Sequence, residues 1–282
     1  MASKRIIALS IALTVVASCA RGDWRFDAET GSFYDSNLSN SDRAAEQEHD
    51  WSWQTRIRAA NGFQLTRDLR LTLSGDVVGA LWHEYSGFDQ IGGGATALLR
   101  YRFGLGREAP WVAIENRVGY DAFEETFRDG WSEAAHVRGG FSLSERLRVE
   151  AGYSYENSCT RSEDVWSWCA HRGDIALIID VTSQLQVAIG YGYRYGDVIS
   201  YAIPPRPDLR AIATARDEEN LTFDEPRTAY KVDGRTHAAT LSASYALTKH
   251  VALQVGYEYR NTAHDALEYE NHLVSAKLAF GF

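Results

Sequence analysis

The chain has 282 residues, with 29 Lys and Arg against 38 Asp and Glu, for a formal net charge of −9. That acid excess argues against a nucleic-acid surface, which needs a basic face. Mean hydropathy is −0.33, and no apolar run reaches the roughly 20 residues that a membrane-crossing helix requires. The length suits one β-barrel or two ordinary domains.

In chain order, the first feature is the apolar run from Ile6 to Ser18 behind Lys4 and Arg5, followed by small residues. This is the layout of a secretory signal peptide. Removal after Ala20 or Gly22 divides the chain into 1–22, a signal peptide, and 23–282, the mature domain. Val16-Ala17-Ser18-Cys19 also resembles the lipobox of bacterial lipoproteins, which would make Cys19 a lipidated first residue. Simple removal is preferred, because a closed barrel gains little from an added acyl anchor.

From there the chain alternates. In Leu185–Tyr195 every odd position is apolar or aromatic and every even position is small or polar. Side chains on a strand switch faces at each residue, so such a run can put lipid on one side and water on the other. About twelve runs follow this rule: 23–34, 50–65, 69–85, 90–104, 110–123, 131–142, 147–157, 171–181, 185–200, 232–246, 251–262 and 269–282. Their connectors alternate between tight turns, such as Thr66-Arg67-Asp68, and longer polar loops, of which 201–231 is by far the longest. Aromatic residues gather near the ends of the runs, as in interfacial girdles. The expected fold is all-β: a transmembrane antiparallel up-and-down barrel of about 12 strands (range 10–14), with both termini periplasmic. A soluble sandwich or lipocalin-like barrel also alternates, but glycines would not crowd the face opposite its aromatics.

The same parity sends charged residues inside. The expected lumen-lining residues are Arg56, Arg58, Arg70, Arg100, Arg102, Glu115, Arg117, Arg138, Glu150, Arg194, Glu258 and Arg260. Two readings stand side by side. Arg56, Arg58, Arg70, Arg100 and Arg102 could form a ladder that attracts anions through a narrow pore. Alternatively the opposite signs pair into an internal network that stiffens a barrel conducting little.

Cys159 and Cys169 flank a short Trp-containing segment, and in an exported chain a disulfide is expected. Asp35, Asn37 and Ser39 alternate like calcium-loop ligands, but the glycine and terminal glutamate of that pattern are missing. The eight histidines show no zinc spacing, and no Gly-x-Ser-x-Gly nucleophile setting appears. No cofactor, metal site or catalytic residue is therefore expected. Segment 201–231, with Pro204-Pro205-Arg206-Pro207, is expected to be a lid, an inward constriction or a mobile loop.

Two resemblances add to this. Leu278, Phe280 and the terminal Phe282 resemble the signal read by the outer-membrane assembly machinery. Gly31-Ser32-Phe33-Tyr34-Asp35-Ser36-Asn37-Leu38-Ser39 resembles the Tyr-Asp-Ser-Asn stretch of an uncharacterised porin-like outer-membrane β-barrel family. That resemblance implies residence in the outer membrane of a Gram-negative bacterium, among lipid and lipopolysaccharide. The function expected is a porin-like channel for small polar or anionic solutes. The alternatives are a non-conducting surface receptor, adhesion or exopolysaccharide-assembly barrel, and, as a minor one, a hydrolase.

Overall fold

The computed structural model describes residues 24–106, 108–161, 165–218 and 222–282. Its strands are β1 (Trp24–Asp35), β2 (Asp50–Gln64), β3 (Leu69–Trp82), β4 (Gln90–Arg102), β5 (Trp111–Phe123) and β6 (Gly130–Ser144). They continue as β7 (Leu147–Thr160), β8 (Trp168–Asp180), β9 (Leu185–Ala202), β10 (Thr214–Glu218), β11 (Arg227–Ala246), β12 (Val251–His264) and β13 (Leu267–Gly281). Successive strands pair antiparallel, except that β9 pairs with β11 and leaves β10 outside the wall. The last strand returns to the first, from Asp27↔Gly281 to Asp35↔Leu273, and closes a barrel of 12 strands. The expected signal peptide and Cys19 lie outside the described residues.

Closure is required by the outer surface. Leu73, Val77, Ile91, Ile114, Ile175, Ile189, Leu241 and Val255 all point outward and are exposed. Removing one such side chain from water is worth about 1.5–3 kcal/mol, so an apolar band of this extent is built to meet hydrocarbon rather than solvent. Trp51, Trp53 and Trp131 stand on this surface near the loop end, and Phe63, Tyr101, Phe141 and Tyr245 near the turn end. In hydrocarbon a strand can leave no backbone group unpaired, which forbids an open edge.

The seam between β1 and β13 is tight at one residue. A Cβ at Gly31 would lie 2.2 Å from the Ala276 carbonyl oxygen and 2.4 Å from the Lys277 Cα. Only glycine lets the two backbones approach this closely.

The largest departure from the expected pattern is at the loop end of β9 and β11. The strands run on to Ala202 and start as early as Arg227, so the connector expected over 201–231 shrinks and holds β10 within it. Gly196 and Gly234 face each other across this hairpin. At that level the neighbours drop away: β8 pairs only up to Ala170↔Gly196, and β12 up to Arg235↔Ala263. Gly196 has φ +145°, and a Cβ there would meet the Cys169 carbonyl oxygen at 2.4 Å. The wall is creased here. Beyond the crease β9 and β11 stay paired, β10 joins the free edge of β11, and the three strands lie across the loop-end mouth. Their far edge meets the loop between β1 and β2. The Tyr201 amide donates to the Ser39 carbonyl (2.8 Å), and Asn40 Nδ2 donates to the Ile199 carbonyl (2.9 Å).

Gly31→Ala should lower the unfolding midpoint of detergent-solubilised barrel, at a cost of about 1–3 kcal/mol for overpacking. Gly75→Ala is the control, because its Cβ would meet nothing nearer than 3.7 Å. Heat-dependent gel migration reads both, and equal midpoints would show that the seam is looser than described.

Candidate functional site: the lumen and its cap

The register fixes which side chains share the inner face. Asp27 sits opposite Arg58, Arg58 opposite Asp76, and Arg100 opposite both Arg70 and Ala113. Followed around the barrel, this places Arg56, Arg58, Arg70, Arg100, Arg102, Glu115, Arg117, Arg138, Glu150, Arg194, Glu258 and Arg260 on one surface, facing the interior.

They do not form a single ladder. Around Asp76, Arg117 makes a two-pronged contact (3.0 and 3.3 Å) and Arg56 stands 3.8 Å away. Toward the turn end, Arg138 pairs with Glu115 at 3.0 Å and Arg148 with Glu150 at 3.0 Å. Beside these pairs, Arg70, Arg100 and Arg102 make no ion pair among the described residues. Arg100 lies over the Trp111 ring, 4.2 Å from its centroid, and its buried Nε has no hydrogen-bond partner. A cavity of about 360 Å³ opens here, lined by Arg100, Arg102, Arg138, Arg148, Glu150 and Trp111. Like charges directly opposite on paired strands are destabilising, so the Arg70–Arg100 pair is costly, and the nearby Glu150 is already paired with Arg148.

Toward the loop end a second cavity of about 330 Å³ is lined by Arg172, Arg194, Arg260, Glu156, Glu258 and Trp168, among others. Here Arg172 stands directly opposite Arg194. Arg260 pairs with Glu258, and Arg194 donates to the Asp197 carbonyl at 2.8 Å.

Above this cavity lies the cap. One face of the flap packs Val198, Ala202, Tyr230 and Val232 against Leu209 of the short helix Pro207–Arg210 and against Leu267 and Tyr269 of β13. The other face packs Tyr201, Ala229 and Phe223 against Tyr85, Phe88, Phe127, Val165 and Trp166, contributed by the remaining loops. Phe223 is the hub, 5.1 Å from Tyr85, 5.2 Å from Tyr201 and 5.6 Å from Phe88, centroid to centroid. Such ring pairs each add about 0.5–1.5 kcal/mol beyond area burial.

Buried arginines fix the flap to the first loop. Arg206 bonds Asp42 (2.7 Å) and Asp208 (2.8 Å), and Arg227 pairs with Glu48 and donates to the Glu46 carbonyl at 2.6 Å. Both guanidinium side chains are only 2% exposed. Glu48 also accepts from the Tyr85 hydroxyl at 2.6 Å, and burial, then this bond, raises the Tyr85 phenol above its ordinary range. Hydrogen bonds from Arg206 hold the Asp208 carboxyl at about 2. Removing one partner of a buried pair typically costs about 3–5 kcal/mol.

Several residues singled out by the sequence pattern find other uses. Asp35, Asn37 and Ser39 are consumed in local bonds: the Asn37 amide and Asn271 Nδ2 donate to Asp35, and Ser39 Oγ donates to Asn37 Oδ1. Among the described residues no group of His, Cys, Asp and Glu is arranged to hold a metal. Leu278 and Phe282 point outward and are exposed, and Phe280 shares their face.

The expected Cys159–Cys169 bond is not formed. Both thiols are free and exposed. Cys169 stands opposite Asn157, two residues from Cys159 on the same outward face. Diagonal neighbours of this kind lie about 7–8 Å apart, beyond the usual reach of a disulfide.

One repeat escapes a strand-by-strand reading of the sequence. Gly-Tyr-x-Tyr occurs at 152–155, at the overlapping 190–193 and 192–195, and at 256–259, and the first tyrosine of three of these meets a histidine on the neighbouring strand. The Tyr153, Tyr191 and Tyr257 hydroxyls lie 2.6, 2.6 and 2.8 Å from Nδ1 of His171, His237 and His272. All are on the outer surface. The recurring tetrapeptide was the available signal.

The sequence matches no protein-family model, and no curated protein is similar to it. Among solved structures, an outer-membrane channel from Pseudomonas putida superposes with a TM-score of 0.61 at 12% identity, over 92% of this chain and 96% of that one. The NanC porin gives 0.49 at 12% identity, covering 90% and 98%. The DcaP outer-membrane channel of Acinetobacter baumannii gives 0.43 at 10% identity, covering 92% and 97%. The first of these likenesses establishes a shared fold.

A maleimide reagent should label Cys159 and Cys169 of the folded protein without prior reduction, read by mass spectrometry of the peptides. Labelling only after reductant would restore the disulfide. For the cap, Arg206→Ala with Arg227→Ala should speed amide exchange over Thr228–Tyr230 while the mid-wall strands stay protected. The Arg206–Asp208 pair, which lies within the connector itself, has a defined acid dependence. Because the Asp208 carboxyl is depressed from 3.8 to about 2, its contribution is complete above pH 3.8 and is lost as pH falls through about 2. Amide exchange in the Pro207–Arg210 turn, which this pair stiffens, should accelerate in that window.

Proposed function

We propose that the chain is a channel of the Gram-negative outer membrane that passes small anionic solutes, with its turns and both termini on the periplasmic side. The observation that carries this reading is the group Arg70, Arg100 and Arg102, which stands in the lumen with no ion pair among the described residues and with Arg70 directly opposite Arg100. A stiffening network would place a carboxylate between them, as it does at Asp76 and Glu115. Guanidinium groups left over in a narrow, water-filled cylinder with low-dielectric walls raise the local anion concentration. The closed barrel, its apolar outer band and its likeness in fold to an outer-membrane channel support the location.

The cap favours passage that waits on a movement, because the flap lies across the loop-end mouth and is held by buried pairs.

In planar bilayers the protein should show stepwise conductance with anion preference. Arg100→Gln with Arg102→Gln should cut the anion-to-cation permeability ratio several-fold, whereas Arg56→Gln should change it less, since Asp76 keeps Arg117 as its partner. Silence from heat-modifiable, folded protein would sink the channel reading. A ratio unmoved by the double variant would sink the anion reading.

A further inference from the structure

The loop-end cavity carries more than a positive charge. Resting on the channel reading, we propose that it is a binding chamber for small anions that also bear an ammonium group, of which acidic amino acids are the simplest.

The argument starts from what is left unsatisfied. Arg172 and Arg194 are directly opposed on β8 and β9, a repulsive arrangement on its own. Arg194 spends one amino group on the Asp197 carbonyl and lies 5.5 Å from the Trp168 ring centroid. Arg172 has no ion pair among the described residues, and its guanidinium lies over Gly192, where a Cβ would meet Nη2 at 3.4 Å. The missing side chain at Gly192 leaves room for the Arg172 head inside the chamber. The Arg172 head lies toward Gly192 and the Arg194 head toward Trp168 and Asp197, so the two line the chamber at two levels, and each guanidinium plane matches carboxylate geometry.

Glu156 supplies the opposite sign. It sits on β7 opposite Ala170, diagonal to Arg172 and within electrostatic reach of Arg194, and its hydrogen bond is a long one from the Ser154 hydroxyl at 3.4 Å, with no ion pair among the described residues. The other carboxylate here, Glu258, is already engaged by Arg260. A simple inorganic anion would use the arginines and leave Glu156 as a repulsive neighbour. A solute with an ammonium between or beside its acid groups satisfies all three. Val198 and Tyr269 give the chamber an apolar side for a short carbon chain. About 330 Å³ is at the small end of ligand pockets, which run from ~300 to ~1,000 Å³, and so suits a solute of amino-acid size. The cap forms the roof, through Asn40, Val198 and Ile199, so a bound solute is shut from the loop side while the flap is down.

Isothermal titration of the folded, detergent-solubilised full chain tests this with glutamate and glutarate, which share two carboxylates and differ by the ammonium. Glutamate should bind the wild-type protein roughly tenfold tighter, the value of one charge-assisted hydrogen bond. Glu156→Gln should erase that difference, and Arg172→Gln should weaken both ligands. Equal affinities, or no binding of either, would overturn the chamber without any variant. Loss of binding alongside persistent anion-selective conductance would overturn this inference alone and leave the channel standing. Glutamate binding by a protein that conducts nothing would overturn the channel and keep the chamber.

Discussion

Backbone hydrogen bonding in hydrocarbon is the constraint on which the rest depends. A strand that faces lipid must satisfy every amide and carbonyl on a neighbour, so the sheet must return to its start. The β1–β13 pairing does this, and the bare Cα at Gly31 lets it do so at close approach. Once the ring is shut, side-chain parity is fixed everywhere. The apolar set must look out, and the arginines and carboxylates must look in.

Inside, the question becomes which charges are neutralised locally. Asp76 and Glu115 each hold an arginine near 3.0 Å. Arg70 and Arg100, and again Arg172 and Arg194, stand opposite one another in register, and none of the four makes an ion pair among the described residues. A barrel evolved only for rigidity would gain by converting one member of each couple to Glu. Like-charged couples at two depths are what the proposed channel would use and what a purely stiffening network would not.

The wall was legible and the cap was not, for a physical reason. Wall strands announce themselves by a local rule of period two, so Leu185–Tyr195 or Val274–Phe282 can be read in isolation. The inward placement of Arg100 or Glu258 follows from the same rule, but its pairing depends on register, which no single strand contains. The cap is assembled from Tyr85, Phe127, Trp166 and Phe223, residues of four separate loops that meet only in space. Nothing local marks Phe223 as a hub, or Arg206 and Arg227 as fasteners. The disulfide failed in the same way: two cysteines flanking a loop look like partners until the register offsets them by two residues.

The crease has a mechanical consequence. The flap continues two wall strands, and the ladder between β9 and β11 is unbroken from Gly196↔Gly234 to Ala202↔Thr228. It therefore cannot flex internally without breaking those bonds, and it cannot drift as a tethered domain would. Rotation about the line through the two glycines is the movement that would leave that ladder intact, so a single angle would describe it.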